Sequence, residues 1–171
     1  MASVDFLFDS KDVAGYIVWK CAENGFLCNN TKTQKLLYCC YGTVLAQFEQ
    51  RLCNEYPRAW QYGPVFPSVF RFIDKHKDEM LFGLTEQAKN ARAKFATPEM
   101  QPVQQMVDNT IQYFGKYSAK DLSEWSHTAG SPWDTVVRKH VGEMYDFIPD
   151  DLICKYFNEK VLEEEDEAKS A

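Results

Sequence analysis

Residues 56–67, with the sequence YPRAWQYGPVFP, interrupt an otherwise helical pattern with a Gly-Pro pair and a further proline three residues on. The alternation in residues 59–62 is typical of a short strand. Gly63 stands directly before a proline and can take the positive φ that a sharp exit from that strand requires. Ser68 is the predicted N-cap of the helix that follows. This stretch therefore predicts a small β-hairpin or strand element near residues 58–66.

The rest of the chain places apolar residues mainly at helical spacing, which predicts about six helices. Residues 36–48 carry the widest apolar face, which indicates a central helix. Ser10 is the predicted N-cap of the first helix, and Asn29 or its neighbour caps the second. Residues 86–94, EQAKNARAK, have only a thin apolar stripe, so we expect an exposed helix or an ordered linker there. The fold class expected is mainly α.

The charge is unevenly distributed along the chain. Of the formal net charge of −6, residues 158–171 contribute −4, from six acids and two bases. Residues 1–157 hold 19 acids and 17 bases, a balance of −2. We therefore expect one compact helical domain over residues 1–157, followed by an acidic helix end and tail whose last part, 163–171, frays. A nucleic-acid-binding domain would need a basic face, so nucleic acid is not the expected partner.

The cysteines and the hydropathy both favour the cytoplasm. No apolar run approaches the ~18 residues of a membrane span, and the first residues are too short and too acidic a run for a signal peptide. The chain has no CxxC pair, so a structural zinc site is not expected. Reduced thiols are expected at all six positions: Cys21, Cys28, Cys39, Cys40, Cys53 and Cys154.

Catalytic candidates are few. The sequence contains no glycine-rich phosphate loop and neither GxSxG nor HExxH. His76 lies in a charged run, which favours a surface position. His140 follows Arg138 and Lys139 near a helix end, where a partial positive charge suits the carbonyl end of the helix dipole. His127 stands in a recognisable block and is a candidate partner of Cys39 or Cys40 in a Cys/His couple. The competing interpretation is that His127 bonds locally and fixes a turn between two helices.

Four blocks of sequence, in this order along the chain, resemble the Panacea domain of SocA-like antitoxins from bacterial and phage toxin–antitoxin pairs. They are DVAGYI at residues 12–17, QKLLY at 34–38, AWQYGPV at 59–65 and SHTAGSPW at 126–133. The resemblance extends over residues 10–157.

The resemblance implies a non-enzymatic antitoxin that neutralises a cognate toxin by direct binding, either by holding it or by delivering it to a cellular protease. It implies no cofactor and no membrane partner. Two alternatives from other classes are a small Cys/His hydrolase and a DNA-binding repressor or phage accessory protein. The blocks supply the candidate motif and partner-binding residues Lys35, Tyr38, Trp60, Tyr62, Gly63, Pro64, His127, Pro132 and Trp133.

Overall fold

The computed structural model describes residues 6–76, 84–139 and 146–162. Within them the chain is mainly α, as predicted, with eight α-helices where about six were expected. In chain order the elements are α1 Ser10–Glu23, α2 Asn30–Phe48, β1 Arg58–Trp60, β2 Gly63–Val65, α3 Pro67–Lys75, α4 Thr85–Phe95, α5 Gln101–Phe114, α6 Ala119–Ser126, α7 Pro132–Lys139 and α8 Asp150–Tyr156, which continues as a π-helix over Phe157–Leu162. His140 and the predicted fraying end at 163–171 lie outside the described residues.

The core is built around α2, as the width of its apolar face predicts. Every residue from 32 to 46 is buried, and α1, α5, α8 and the π-helix pack against this helix. Gly42 allows the closest approach, because a Cβ at that position would lie 2.4 Å from the Phe157 ring. The burial of a helix on nearly all sides accounts for its high content of apolar residues.

The polar segment at 86–94 forms most of α4, which packs on α1. Its thin stripe consists of Ala88, Ala91 and Phe95, all buried. Gly15 of α1 meets α4 at very short range, since a Cβ there would lie 2.7 Å from Gln87 Cβ. The small residues in this contact therefore allow α1 and α4 to pack closely.

The predicted β element is an antiparallel hairpin. Arg58 pairs with Val65 and Trp60 with Gly63, so Gln61 and Tyr62 form the turn between the strands. The predicted strand at 59–62 is thus shorter than expected, and Gly63, with a φ of 113°, begins β2. Residues 146–148 add to the outer edge of β1: Ala59 N donates to Asp146 O at 2.8 Å, and Ile148 N donates to Pro57 O at 2.9 Å.

Two predicted N-caps, Ser10 and Ser68, are wrong. Asp9, one residue before Ser10, caps α1 by accepting a hydrogen bond from Lys11 N. Ser10 N donates instead to Asn54 Oδ1, 44 residues away. Ser68 lies in the first turn of α3, and its N and Oγ donate to the Glu55 carboxylate at 2.8 and 2.6 Å. Each helix thus begins before the predicted cap, and both serines donate hydrogen bonds to side chains distant in sequence.

In the part of the chain that the structure describes, none of the helices has both the length and the apolar character to cross a membrane.

Candidate protein-interaction site

Three of the four sequence blocks meet at one place, which we call the hairpin corner: Lys35, residues 58–65 and residues 126–133. Lys35 Nζ on α2 donates to the Pro64 carbonyl at 3.1 Å. Trp133 Nε1 on α7 donates to the Trp60 carbonyl at 2.7 Å. The hairpin is therefore held by α2 on β2 and by α7 on β1. The fourth block, at residues 12–17, lies elsewhere, in α1.

Two neighbouring side chains of α2 hold β2 and the residue after it. Gln34 Oε1 accepts from Phe66 N at 2.8 Å, while Lys35 bonds to the Pro64 carbonyl. Both side chains are only 1% exposed. Burial lowers the pKa of Lys35 to about 8, because an ammonium loses its hydration in the interior. Lys35 is thus a buried cation that positions backbone and does not reach the surface.

Gly63 is fixed by its neighbours as well as by its φ. A Cβ at this position would lie 2.5 Å from Ser126 Oγ and 2.8 Å from Lys35 Cε. Ser126 ends α6, and its carbonyl accepts from Ser131 Oγ at 2.9 Å. The hairpin therefore passes over the α6–α7 connection at a distance that only glycine allows.

His127 and Trp133 form the aromatic part of the corner. Their rings lie 4.0 Å apart between centroids, with a 36° angle between the ring planes. His127 Nε2 is buried with no hydrogen-bond partner among the described residues. Burial, with the nearby charge of Lys35 second, lowers the pKa of His127, so the ring is neutral at pH 7. The ring of His127 packs against Trp133, and a local hydrogen bond from this ring that fixes the turn stays a prediction.

The Cys/His couple considered for a hydrolase is not assembled as an open site. Cys39 and Cys40 lie in α2 with an exposed fraction of 0%. Cys40 Sγ faces the Val107 carbonyl at 4.0 Å, on the side of α2 that α5 covers. A substrate would have to enter the core to reach either thiol.

The turn between α6 and α7 is ordered by its own hydrogen bonds. Gly130, with a φ of 86°, donates from N to Asp134 Oδ2 at 2.9 Å, and Asp134 N donates to Ser131 Oγ at 3.1 Å. The Gly130 N–H, together with the Arg138 guanidinium, holds the pKa of Asp134 below its usual value. These bonds keep Trp133 in position against the hairpin.

The predicted site residues divide by burial into three groups. One group is buried and supports the corner or the core from inside: Lys35, Tyr38, Gly63, Pro64 and Pro132. A second group is half-buried at its rim: Trp60, His127 and Trp133. Tyr62, at the tip of the hairpin, is 68% exposed. Tyr38 is separate from the corner contacts described above and packs against Phe157 with centroids 5.4 Å apart.

Sequence reasoning missed three contributors to this site. Gln34 stands beside Lys35 in the same block, and its position within the block was the available signal. Ser131 Oγ accepts from Asp134 N and also donates to the Ser126 carbonyl. The pairing of Phe147 with Arg58 had no local signal, because an isolated bridge leaves no recognisable alternation in the sequence.

No group of three or more His, Cys, Asp or Glu side chains in the described residues is arranged to hold a metal ion. All six cysteines lie within those residues, and no disulfide joins any two of them.

A family model for the SocA-like antitoxins, described as "Antitoxin SocA-like, Panacea domain", matches residues 33–134. The match covers more than half of the chain, so the chain belongs to this family of antitoxins. It is 28% identical over 138 residues to antitoxin SocA of Caulobacter vibrioides (strain NA1000 / CB15N), covering 75% of this chain and 70% of that protein. No solved structure matches. The resemblance of the sequence blocks is confirmed, and membership of the family supports an antitoxin role with a cognate toxin as partner.

Proposed function

We propose that this protein neutralises a cognate toxin by direct protein–protein binding, that the hairpin corner is part of the contact surface, and that no substrate is turned over. The observation that carries the proposal is the contrast within the corner. Three blocks of sequence fix the hairpin through one buried and one partly buried hydrogen bond, and the residue they present, Tyr62, is 68% exposed. A rigid frame beneath an exposed aromatic side chain is typical of a binding loop.

The composition of the rim agrees with a protein partner. Trp60, Tyr62 and Trp133 belong to residue types that are enriched at the energetic centres of protein interfaces. Half-buried rings lose little conformational freedom when a partner covers them, because their rotamers are already restricted by packing. Binding at such a surface therefore costs little conformational entropy.

The described side chains favour binding over catalysis. His127 Nε2, one of the two ring nitrogens that a general base could use, is buried. Cys39 and Cys40 are closed off in the core, and burial raises the pKa of Cys53 to about 12, which keeps that thiol protonated. Cys39, Cys40 and Cys53 therefore do not offer a thiolate that a substrate could reach beside a base.

The wider proposal places the binding domain over residues 1–157, with 158–171 as an acidic tail, acting in the cytoplasm.

Neutralisation by sequestration and neutralisation by delivery to a protease differ in what happens to the toxin. The steady-state amount of toxin is unchanged by the antitoxin in the first case and falls in the second. A time course of toxin level after synthesis is stopped distinguishes them.

The test is co-expression with the product of the small reading frame adjacent to this gene, the candidate toxin. We expect growth to be restored and the two proteins to co-purify. His127→Ala and Cys39→Ala variants that remain folded should protect as the wild type does. Failure of a folded variant that still binds the toxin would favour the hydrolase, and protection without a complex would favour repression of the toxin gene.

A further inference from the structure

Two cysteines meet at the connection between α1 and α2, one in the core and one at the surface. Cys21 lies in the last turn of α1 and is 0% exposed, whereas Cys28 is half-buried in the connection itself. The two thiols share a hydrogen bond. Phe26 N donates to the Cys21 carbonyl at 2.8 Å, which folds the connection back over the end of α1. The chain therefore brings two sulfur atoms into contact across a tight turn.

A groove beside this connection makes Cys28 accessible to small molecules. The groove has a volume of about 530 Å³, and Gly25, Leu27, Lys32 and Tyr117 line it together with Cys28. Leu27 is 90% exposed, and a Cβ added at Gly25 would have nothing within 4 Å, so this wall of the groove is open. A small molecule therefore reaches Cys28 without entering the core.

The surroundings of Cys28 stabilise its thiolate. Thr33 Oγ1 lies 3.1 Å from Cys28 Sγ and 2.8 Å from the Asn29 carbonyl, and its hydroxyl proton can turn toward a thiolate. The charge of Lys32 acts in the same direction. The hydrogen bond from Cys21 is the largest contribution that lowers the pKa of Cys28, and the same bond, with burial second, raises the pKa of Cys21. Cys28 is therefore the nucleophile of the pair, and Cys21 stays protonated.

Exposure alone does not give a cysteine these properties, as Cys154 shows. Its side chain is half-buried like that of Cys28, and its Sγ donates to the Leu45 carbonyl at 3.8 Å. Burial raises the pKa of Cys154, and the charges of Glu49 and Asp150 add to the effect. Cys154 is thus a half-buried thiol in acidic surroundings and a matched control for Cys28.

We propose that Cys21 and Cys28 form a redox modification site that a hydroperoxide oxidises to an intramolecular disulfide. A reactive, accessible cysteine beside a second, resolving cysteine is the arrangement typical of redox-sensing sites. In a cytoplasmic protein such a disulfide is transient, because cellular thiols reduce it again. The inference concerns the connection between α1 and α2 and does not depend on the proposed function.

The reaction has two steps. The Cys28 thiolate attacks one oxygen of the hydroperoxide: a sulfur–oxygen bond forms, the oxygen–oxygen bond breaks, and the leaving alkoxide or hydroxide takes a proton from solvent. The Cys21 sulfur then attacks the sulfur of the Cys28 sulfenic acid, the sulfur–sulfur bond forms, and hydroxide leaves with the Cys21 proton as water. Two electrons pass from the thiols to the hydroperoxide, which is reduced to an alcohol and water; hydrogen peroxide gives water alone.

Hydrogen peroxide and the reduced full-length protein test the site directly. Trypsin cleaves after Lys20 and Lys32, so both cysteines fall in one peptide, CAENGFLCNNTK. After a brief exposure to peroxide and then alkylation, we expect this peptide to be unalkylated and lighter by two hydrogen atoms. Treatment with dithiothreitol should restore both thiols to alkylation. Cys154 should remain alkylatable at the same dose of peroxide.

Variants separate the roles of the two cysteines. Cys28→Ala should slow the oxidation of the peptide about tenfold or more. Cys21→Ala should accumulate a Cys28 sulfenic acid that dimedone captures, without a disulfide. Cys154→Ala is the control and should form the disulfide as the wild type does. With an aromatic disulfide reagent, the fast phase should release about two equivalents of thiolate from wild type and about one from Cys21→Ala, because Cys21 resolves the mixed disulfide.

Several results would overturn the inference. They are a peptide that stays reduced, over-oxidation of Cys28 while Cys21 remains a thiol, a disulfide from either residue to another cysteine, and a Cys154 that reacts as fast as Cys28. Release of a single equivalent of reagent thiolate from wild type in the fast phase also contradicts it. If Cys21→Ala does not fold, the wild-type peptide and the release of thiolate from wild type still decide the question.

Discussion

The ammonium group of Lys35 lies beneath the hairpin and donates to the Pro64 carbonyl at 3.1 Å. Pro64 has no N–H and cannot contribute a donor to the strand pairing, so β2 depends on its carbonyl groups and on α2 for part of its support. The bond joins the QKLLY block to the AWQYGPV block. It accounts in physical terms for the presence of a lysine at a position that is 1% exposed.

The buried lysine predicts a pH dependence of stability. The pKa of Lys35 is about 8 in the folded protein against an ordinary value of 10.5, so the unfolded chain binds more protons between these values. Stability from this group therefore rises as pH increases from about 8 to about 10.5. In Lys35→Met the penalty of burying the charge is gone at every pH. Wild type gains stability from Lys35 over this range, and the variant does not. The free energy of unfolding of Lys35→Met minus that of wild type should therefore fall by up to about 3 kcal/mol between pH 7 and pH 10.5.

Urea unfolding of both proteins across this pH range measures the difference directly. Taking the difference also removes the opposite contribution of buried tyrosines such as Tyr38, whose pKa is raised by burial. A difference that stays constant with pH would show that Lys35 is not buried as a titrating group.

Gly63→Ala should destabilise the protein by about 2 kcal/mol or more. The φ of 113° is strained for alanine, and the new Cβ would lie 2.5 Å from Ser126 Oγ. Gly25→Ala is the matched control, because its φ of 75° is also positive while nothing lies within 4 Å of the added Cβ. Gly25→Ala should destabilise the protein by about 1 kcal/mol, through backbone strain alone. Equal unfolding midpoints for the two variants would show that the close approach at Gly63 does not matter.

The cysteines should differ in reactivity although all are expected to be thiols. Hydrogen bonds, first from the Cys21 thiol and then from Thr33, lower the pKa of Cys28, which is half-buried. Burial raises the pKa of Cys154, which has similar exposure. Near neutral pH a disulfide reagent should therefore react first with Cys28. Cys28→Ser should remove the fast phase and Cys154→Ser should leave it.

The denatured protein should give about six reactive thiols, one for each cysteine in the sequence. One equivalent of bound zinc in the purified protein, or a fast phase that persists in Cys28→Ser, would contradict the prediction.

Tyr62→Ala should weaken toxin binding about tenfold or more without changing the melting temperature. The side chain is 68% exposed, so its removal costs the fold little, while an interface that covers the hairpin tip would lose an aromatic contact. Leu27→Ala is the control, because Leu27 is 90% exposed in the connection between α1 and α2. Titration calorimetry on both variants makes the comparison, and equal affinities would remove the hairpin tip from the interface.

The sequence was sufficient where the structure depends on local chemistry. Periodicity, backbone preference and short-range bonds account for the wide face of α2, the turn before Pro64 and the Asn29 cap. It was insufficient where a partner lies far along the chain. Ser68 bonds to Glu55, and Lys35 lies in the interior, because of contacts that local reasoning does not supply.

The candidate site shows the same division. The sequence blocks identified residues that do meet, such as Lys35 and Pro64, and the resemblance to a family supplied that grouping. Which of them reach the surface was not predictable from the blocks. Only packing decides that Tyr62 is exposed while Tyr38, equally part of a block, lies in the core at 1% exposure.

The central claim is that the toxin is neutralised by contact and not by chemistry. It is tested most directly by mixing purified toxin and antitoxin at varied ratios, separating them by size-exclusion chromatography, and measuring the intact mass of each chain. The account predicts co-elution at a fixed molar ratio, with both masses unchanged. A toxin whose mass is altered by sub-stoichiometric antitoxin, or the absence of any complex although cells are protected, would contradict it.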